Sequence, residues 1–339
     1  MLLVTLAIGK WQEAYFRSLF HLESENARIV SVDISNDAFT RNLWYLSELP
    51  KLANEVAADM VHLSFPAPIR RTMLRCPVVV SLHDLQPYDE PGSLGFPIGF
   101  FNRVFLQRCL TDVDCVSCVS EATRSKLNAH FPQLARRKSV VIHNCITIGS
   151  SDPIAPAGEH CRFALMVARH GANKNICLAL KVFDELLQRK AIDGRTILVL
   201  VGSSGPETNA ILSFIEQRAL ERSVRLIERV TDGELRWLYG NCEFLLAPSS
   251  MEGFGLPVAE ALFCGSRIVC SDIPAFREIG GKTCHYFDLH AESDSSAMGA
   301  AIRSALEEPA RPARRLERFS LEHIAGEYAT LYMQLRGDD

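Results

Sequence analysis

Several features are scarce in this sequence, and each scarcity removes a class of protein. No apolar run approaches the roughly 20 residues that a membrane-spanning helix needs. The opening stretch MLLVTLAIGK has no basic residue ahead of its apolar run. It suits a first buried strand better than a secretory signal, so the expected location is the cytoplasm. Charge of one sign is also lacking: 36 Lys and Arg against 40 Asp and Glu leave a net charge of −4 over 339 residues. That balance offers no general surface for polyanions, so nucleic acid is not an expected partner. No G-x-G-x-x-G follows any strand-like run, which argues against a dinucleotide dehydrogenase.

Cysteine itself is not scarce, but any pattern in it is. The cysteines number 11, an odd count, and are scattered through apolar segments. They read as reduced, buried thiols rather than a disulfide framework. The C-x-x-C of Cys115 and Cys118 lies inside the strand-like run Asp114–Val119, and no second pair faces it as zinc would require.

What is present is an ordinary globular balance, 47% apolar and 22% charged, in a chain long enough for two domains. Short apolar runs alternate with amphipathic ones. Strands are expected over residues 2–8, 27–33, 59–64, 77–82, 115–119 and 138–142 of the first half. In the second half they are expected over 162–168, 196–201, 224–227, 243–247, 267–271 and 285–287. Helices fall between them, among them 11–22, a segment ending near Leu46, 98–110, 121–131 behind the N-cap Ser120, 176–190 and 207–222. Nearly all-apolar strands such as PVVVSL suit a parallel sheet covered on both faces. A stretch rich in serine, glycine and proline, Ile148–Glu159, breaks the alternation. The fold class is therefore α/β, with two doubly wound, Rossmann-like domains facing a central cleft. The N-terminal domain spans 1–150, a linker 151–160, the C-terminal domain 161–319 and a closing helix 320–339.

The stretch Ser249–Gly265, SSMEGFGLPVAEALFCG, carries the clearest chemistry. A buried strand feeds a glycine turn, Pro257 suits the first turn of a helix, and Gly265 caps its end. Free backbone N–H groups at such a helix start favour a bound phosphate. Glu252 on the turn and Glu260 about one turn into the helix would repel that phosphate, so they fit better as acceptors for sugar hydroxyls. Together these features describe a site for a sugar on a nucleotide diphosphate. On the loop leaving the first strand of the second half, ARHGANKN, Arg169 and Lys174 can hold a diphosphate, Arg through a fork and Lys as a point charge. Either residue alone would read as part of a solvated loop.

With these residues in view, the chain resembles glycosyltransferase family 4, retaining enzymes of GT-B fold. The E-x7-E of Glu252 and Glu260 within EGFGLPVAEAL carries the resemblance, supported by SLHDLQPY around His83, VSEATRSKL at Ser120 and VIHNCI at Asn144. It is most similar to bacterial polysaccharide mannosyl- and rhamnosyltransferases. The resemblance implies that Glu252 contacts the donor sugar's hydroxyls and Glu260 the ribose. It implies that Gly253, Phe254, Gly255 and Leu256 offer N–H groups to sugar and phosphate, and that Arg169 and Lys174 clamp the diphosphate. His83 would reach across the cleft to the donor sugar; the bland alternative is a strand-end histidine bonded to backbone. Asp84 would orient His83 or merely cap the next loop. Gly9, before Lys10, stands where the family has Gly-Gly, and Asn144-Cys145 where it has Asn-Gly. The closing helix would pack back toward the N-terminal domain.

The expected activity is transfer of a hexose, mannose favoured, from a nucleotide-diphosphate sugar to a lipid-linked or oligosaccharide acceptor, with retention and no divalent metal. GDP-mannose as donor substrate and a growing polysaccharide unit as acceptor rest on the resemblance; no cofactor is expected. The rivals are a nucleotide-sugar epimerase or phosphorylase on a similar scaffold, and a non-catalytic sugar-nucleotide-binding subunit. The pair Asp112 and Asp114 has the D-x-D form of a metal–nucleotide site but precedes a strand instead of ending one, so local roles are expected. The basic patches 69–75 and 136–138, near Phe100 and Phe101, read first as solvated surface and second as peripheral contact with anionic lipid at the inner face of the membrane.

Overall fold

The computed structural model describes residues 3–19, 26–89, 98–132, 134, 139–156, 162–290, 294–309, 312–313 and 316–337. The patch at 136–138, the side chains of Phe100 and Phe101, and residues 157–160 of the expected linker lie outside what is described. By its contacts the chain forms two units. One holds residues 1–118, 127–140 and 325–339, the other 119–126 and 141–324.

The first unit opens with β1 (Val4–Gly9), α1 (Glu13–Leu19), β2 (Ala27–Val32) and α2 (Ala38–Glu55). Asp37 starts α2, its Oδ1 accepting the Thr40 N–H at 2.9 Å. The sequence suggested an end near Leu46. The helix instead runs through Pro50, which is buried beside Leu49 and Ala53, so packing outweighs the amide lost at the proline. Next come β3 (Val61–Leu63), β4 (Val78–Leu82), the single turn α3 (Gln86–Asp89), α4 (Ile98–Thr111), β5 (Cys115–Cys118), α5 (Glu121–His130) and β6 (Ser139–Val141). Strands β3 to β6 form one sheet in chain order, while β1 and β2 pair in parallel as a separate ribbon. The apolar run of β4 is buried on both faces, with Val78, Val79, Val80 and Leu82 fully covered. Parallel pairing with β3 and β5 accounts for that.

The second unit contains β7 (Phe163–Val167), α6 (Ile176–Gln188), β8 (Ile197–Val201), α7 (Thr208–Gln217), β9 (Val224–Ile227) and α8 (Asp232–Asn241). It continues with β10 (Leu245–Ala247), α9 (Leu256–Cys264), β11 (Ile268–Ser271), α10 (Pro274–Gly280), β12 (His285–Phe287) and α11 (Asp294–Glu307). Its six-stranded parallel sheet has the order β12-β11-β10-β7-β8-β9. Chain direction across the sheet reverses between β7 and β10. Loops leaving the carboxyl ends of those two strands therefore diverge at the place where open α/β sheets bind ligands.

Part of the segment marked by composition as a linker is fastened to this unit. Arg236 donates to the carbonyls of Gly149, at 3.1 Å, and Ser151, and Ile154 N–H donates to Gly233 O at 3.0 Å. The last helix, α12 (Leu321–Arg336), begins in the second unit, and its residues from Ala325 onward count with the first. There Tyr332 OH meets His62 Nδ1, and His62 Nε2 lies 2.9 Å from Ser81 Oγ. Tyr328 OH reaches both Ser81 and Ser117, at 3.3 and 3.2 Å. No described helix is long and apolar enough to cross a membrane, and none of the ten described cysteines is in a disulfide.

Candidate functional site

The loop after β10 ends in Gly255, whose φ of +99° is in the left-handed region. A Cβ there would also stand 2.8 Å from the Phe276 ring, so conformation and space both require glycine. Pro257 lies in the first turn of α9, and Gly265, at φ +80°, closes the helix as its sequence suggested. Ahead of this helix the backbone N–H groups of Gly253, Phe254, Gly255 and Leu256 find no acceptor among the described residues. Consecutive unsatisfied donors on a positive helix end form an anion site.

The loop after β7 is tied to that turn at several points. Asn175 adopts the left-handed conformation, φ +50°, and its side chain donates to Pro248 O at 2.8 Å. Asn173 donates to Met251 O at 3.2 Å and accepts the Ser250 N–H at 2.9 Å. Between these ties Lys174 Nζ meets Glu252 Oε1 at 2.6 Å, and Ser249 Oγ donates to the same oxygen at 2.8 Å. Arg169 is exposed; its carbonyl accepts the Gly171 N–H at 2.7 Å, and its guanidinium has no partner among the described residues. The loop after β8 lies directly against this one. A Cβ at Gly202 would stand 1.9 Å from Ala168 O, and one at Gly205 would stand 2.3 Å from His170 O. His170 is buried, with Nδ1 2.9 Å from Thr208 Oγ1.

Glu260 lies on the inner side of α9 and accepts the Tyr239 hydroxyl at 2.8 Å. Burial raises its pKa to about 7; the Tyr239 hydrogen bond opposes this and the charge of Asp232 adds to it. Tyr239 is fully buried, and its own pKa is pushed well up by that burial and then by the carboxylate.

The second unit thus brings together Glu252, Lys174, Gly253, Phe254, Gly255 and Leu256, with Arg169 on the adjoining loop and Glu260 one turn into the helix. Gly9, His83 and Asp84 belong to the first unit. His83 is exposed and its Nε2 donates to Ser64 O at 2.9 Å, the backbone contact of a strand-end histidine. Asp84 Oδ1 accepts the Gln86 N–H at 3.0 Å, capping the loop rather than holding His83. The Gly9 N–H donates to Gln12 Oε1 at 3.1 Å, and a Cβ on Gly9 would collide with Trp11 at 2.6 Å. Asp114 Oδ2 is engaged by Arg71 Nε and the Val78 N–H, both at 2.8 Å, and Asp112 lies 3.9 Å from Arg108. These are the local roles expected of the D-x-D pair.

Sequence reasoning missed Asn173, Asn175, Ser249 and Tyr239. Asn175 had a signal, since asparagine tolerates the left-handed conformation that joins a loop to a helix. Tyr239 had none, because nothing local ties it to a glutamate 21 positions away.

The family description "Glycosyl transferases group 1" matches residues 152–321, and "Glycosyltransferase Family 4" matches residues 12–149. The chain is 28% identical to O-antigen chain mannosyltransferase B of Escherichia coli, over 76% of this chain and 70% of the relative. It is 24% identical to O-antigen chain mannosyltransferase RfbU of Salmonella typhimurium, over 78% and 72%. Among solved structures it is similar in fold to WaaG, a glycosyltransferase involved in lipopolysaccharide biosynthesis, with TM-score 0.66, 14% identity and coverage of 99% and 98%. OtsA gives TM-score 0.70 at 12% identity, covering 99% of both chains.

Proposed function

We propose that this chain, which belongs to the family of group 1 glycosyl transferases and has the GT-B fold, transfers mannose from GDP-mannose to a lipid-linked saccharide, with retention of configuration and without a divalent metal. The observation that carries this reading is the run of unpaired N–H groups from Gly253 to Leu256, set beside the Lys174–Glu252 pair at the β7/β10 reversal. That combination offers donors and cations to a diphosphate and carboxylates to sugar hydroxyls. Mannose and a polysaccharide acceptor are supported by the names of the O-antigen mannosyltransferases to which the chain is similar.

In this reading the diphosphate lies against the start of α9, gripped by Arg169 and Lys174. Glu252 accepts from sugar hydroxyls and Glu260 from the ribose. As the bond between the anomeric carbon and phosphate breaks, negative charge collects on the departing diphosphate, and preorganised N–H groups and cations stabilise it without reorganisation. A contact of His83 with the donor sugar rests on the family resemblance. Peripheral contact with anionic lipid is supported by the exposed Arg70 and Arg75 beside Met73, which is 39% exposed. Binding to anionic but not zwitterionic vesicles, weakened by Arg70→Glu, tests it.

The deciding experiment incubates the purified protein with nucleotide hexoses and a lipid-linked oligosaccharide, and reads the first-formed glycoside by NMR. Transfer from GDP-mannose with the donor's anomeric configuration kept is expected. An inverted product, or conversion of the donor without an acceptor, overturns the reading.

A further inference from the structure

The carbonyl of Gly253, on the turn ahead of α9, receives two hydroxyls. Ser120 Oγ donates to it, and Thr123 Oγ1 donates at 3.0 Å. Both residues are 1% exposed. They stand at the start of α5, where Ser120 Oγ also accepts the Thr123 N–H at 2.9 Å, as an N-cap does. The next two donors of that turn, the N–H groups of Glu121 and Ala122, go to the Glu278 carboxylate at 2.9 and 3.1 Å. His143 Nε2 holds the same carboxylate at 2.8 Å. Burial pushes the Glu278 pKa up, but His143 and the two N–H groups outweigh it and the net shift is downward. With the N–H groups of the first turn satisfied, the two hydroxyls are rigidly mounted.

The peptide joining Gly253 to Phe254 is planar and trans, so its C=O and N–H point in opposite directions. Holding the carbonyl therefore aims the Phe254 N–H. The Phe254 ring is fixed separately, edge-on to Phe319 with centroids 5.4 Å apart and 5.9 Å from His143. Anchored at the carbonyl before it and at its own ring, residue 254 presents an N–H without an acceptor among the described residues. We propose that Ser120 and Thr123 are positioning residues of the donor site: by pinning the Gly253 carbonyl they aim the Phe254 N–H at the charge that grows as the sugar–phosphate bond breaks. This rests on the donor-site reading of α9 given above.

A purely structural role makes a different demand. Capping α5 uses the Ser120 oxygen and the Thr123 N–H; the Thr123 hydroxyl, which lies 3.1 Å from Ser120 Oγ, caps nothing itself and donates to the Gly253 carbonyl. Thr123→Val removes the clamp's second hydroxyl, and with it the contact to Ser120 Oγ, while the Thr123 N–H that Ser120 caps is kept. The test compares wild type, Thr123→Val, Thr123→Ser and the double variant Ser120→Ala/Thr123→Val in GDP-mannose transfer. Calorimetric GDP binding and hydrogen exchange over residues 253–256 are read on the same proteins. Thr196→Val, which removes another buried hydroxyl bonded to Glu243 at 3.0 Å, serves as the control for lost stability.

Thr123→Val should lower kcat roughly 10-fold, with KM for GDP-mannose within about twofold. The double variant should lose more, and Thr123→Ser should recover wild-type kcat. GDP should slow exchange at 253–256 in wild type and less so in Thr123→Val, while Thr196→Val keeps wild-type kcat. Unchanged kcat and exchange in Thr123→Val with an active wild type, or no recovery in Thr123→Ser, overturns the clamp alone. A wild type that neither binds GDP nor transfers mannose overturns the donor-site reading and the clamp with it.

Discussion

Lys174 Nζ and Glu252 Oε1 are 2.6 Å apart, with side-chain exposures of 20% and 15%. The cation proposed for the diphosphate is thus already held by the carboxylate proposed for the sugar. Such a pair is preorganised, and removing either member leaves the other poorly solvated.

Lys174→Ala should therefore lower kcat on the order of 10²-fold and affect donor affinity much less, because the charge that Lys174 meets grows toward the transition state. It should also destabilise the fold by about 1–3 kcal/mol, since the Glu252 carboxylate loses its counter-charge. Lys174→Ala/Glu252→Ala should recover stability but not kcat. Steady-state kinetics with chemical denaturation checks both; equal losses in kcat and stability across the three variants would contradict it.

Glu260 should make nucleotide affinity depend on pH. Its folded pKa is raised to about 7 by burial, above an ordinary value of 4.5. A protonated carboxyl can accept fewer ribose hydroxyls, so GDP affinity should rise between about pH 6 and 8 and then level off. Stability runs the other way. A raised carboxyl pKa favours the folded state fully below the unfolded value, and that advantage fades as pH climbs through about 7. Glu260→Gln should flatten both profiles, as read by calorimetry and thermal melting.

Transfer should continue in excess EDTA. Asp114 is engaged by Arg71 and the Val78 N–H, and in the proposed site Arg169 and Lys174 supply the positive charge. Asp114→Asn should lower the melting temperature with no change in metal response. Activity abolished by EDTA and restored by Mn²⁺ would overturn the cation clamp.

The Tyr332–His62 contact should yield in acid. Burial first, and then the charge of His83, lower the His62 pKa to about 4. A histidine kept neutral in the fold contributes stability above about pH 6.5, which is lost as pH falls toward 4. Limited proteolysis within α12 should accelerate over that window, and Tyr332→Phe should make cleavage faster at neutral pH. A pH-independent rate would contradict it.

Much of this architecture could be read from local pattern. Each strand of both units fell on an expected apolar run, because β4 and β7 bury both faces and their sequences carry almost nothing polar. The start and stop of α9 were legible because Pro257 and Gly265 act through their own backbones. Long-range pairings were not. Nothing near Glu260 announces Tyr239, nothing near Ser120 announces Gly253, and the separation of the β1–β2 ribbon depends on partners no local rule can name. Helix α2 outran its expected end because burial of Pro50 is a tertiary fact.

The polar cluster of His62, Ser81 and Ser117 is closed by Tyr328 and Tyr332, which the ribosome adds only after the whole of the second unit's sequence from 141 to 324. At ordinary elongation rates of about 5–20 residues per second, that interval lasts on the order of 10–40 s. Through it the nascent first unit carries buried-type imidazole and hydroxyl groups with their tyrosine partners still unmade. Its assembly is therefore completed after translation of the second unit, although its strands are synthesised first.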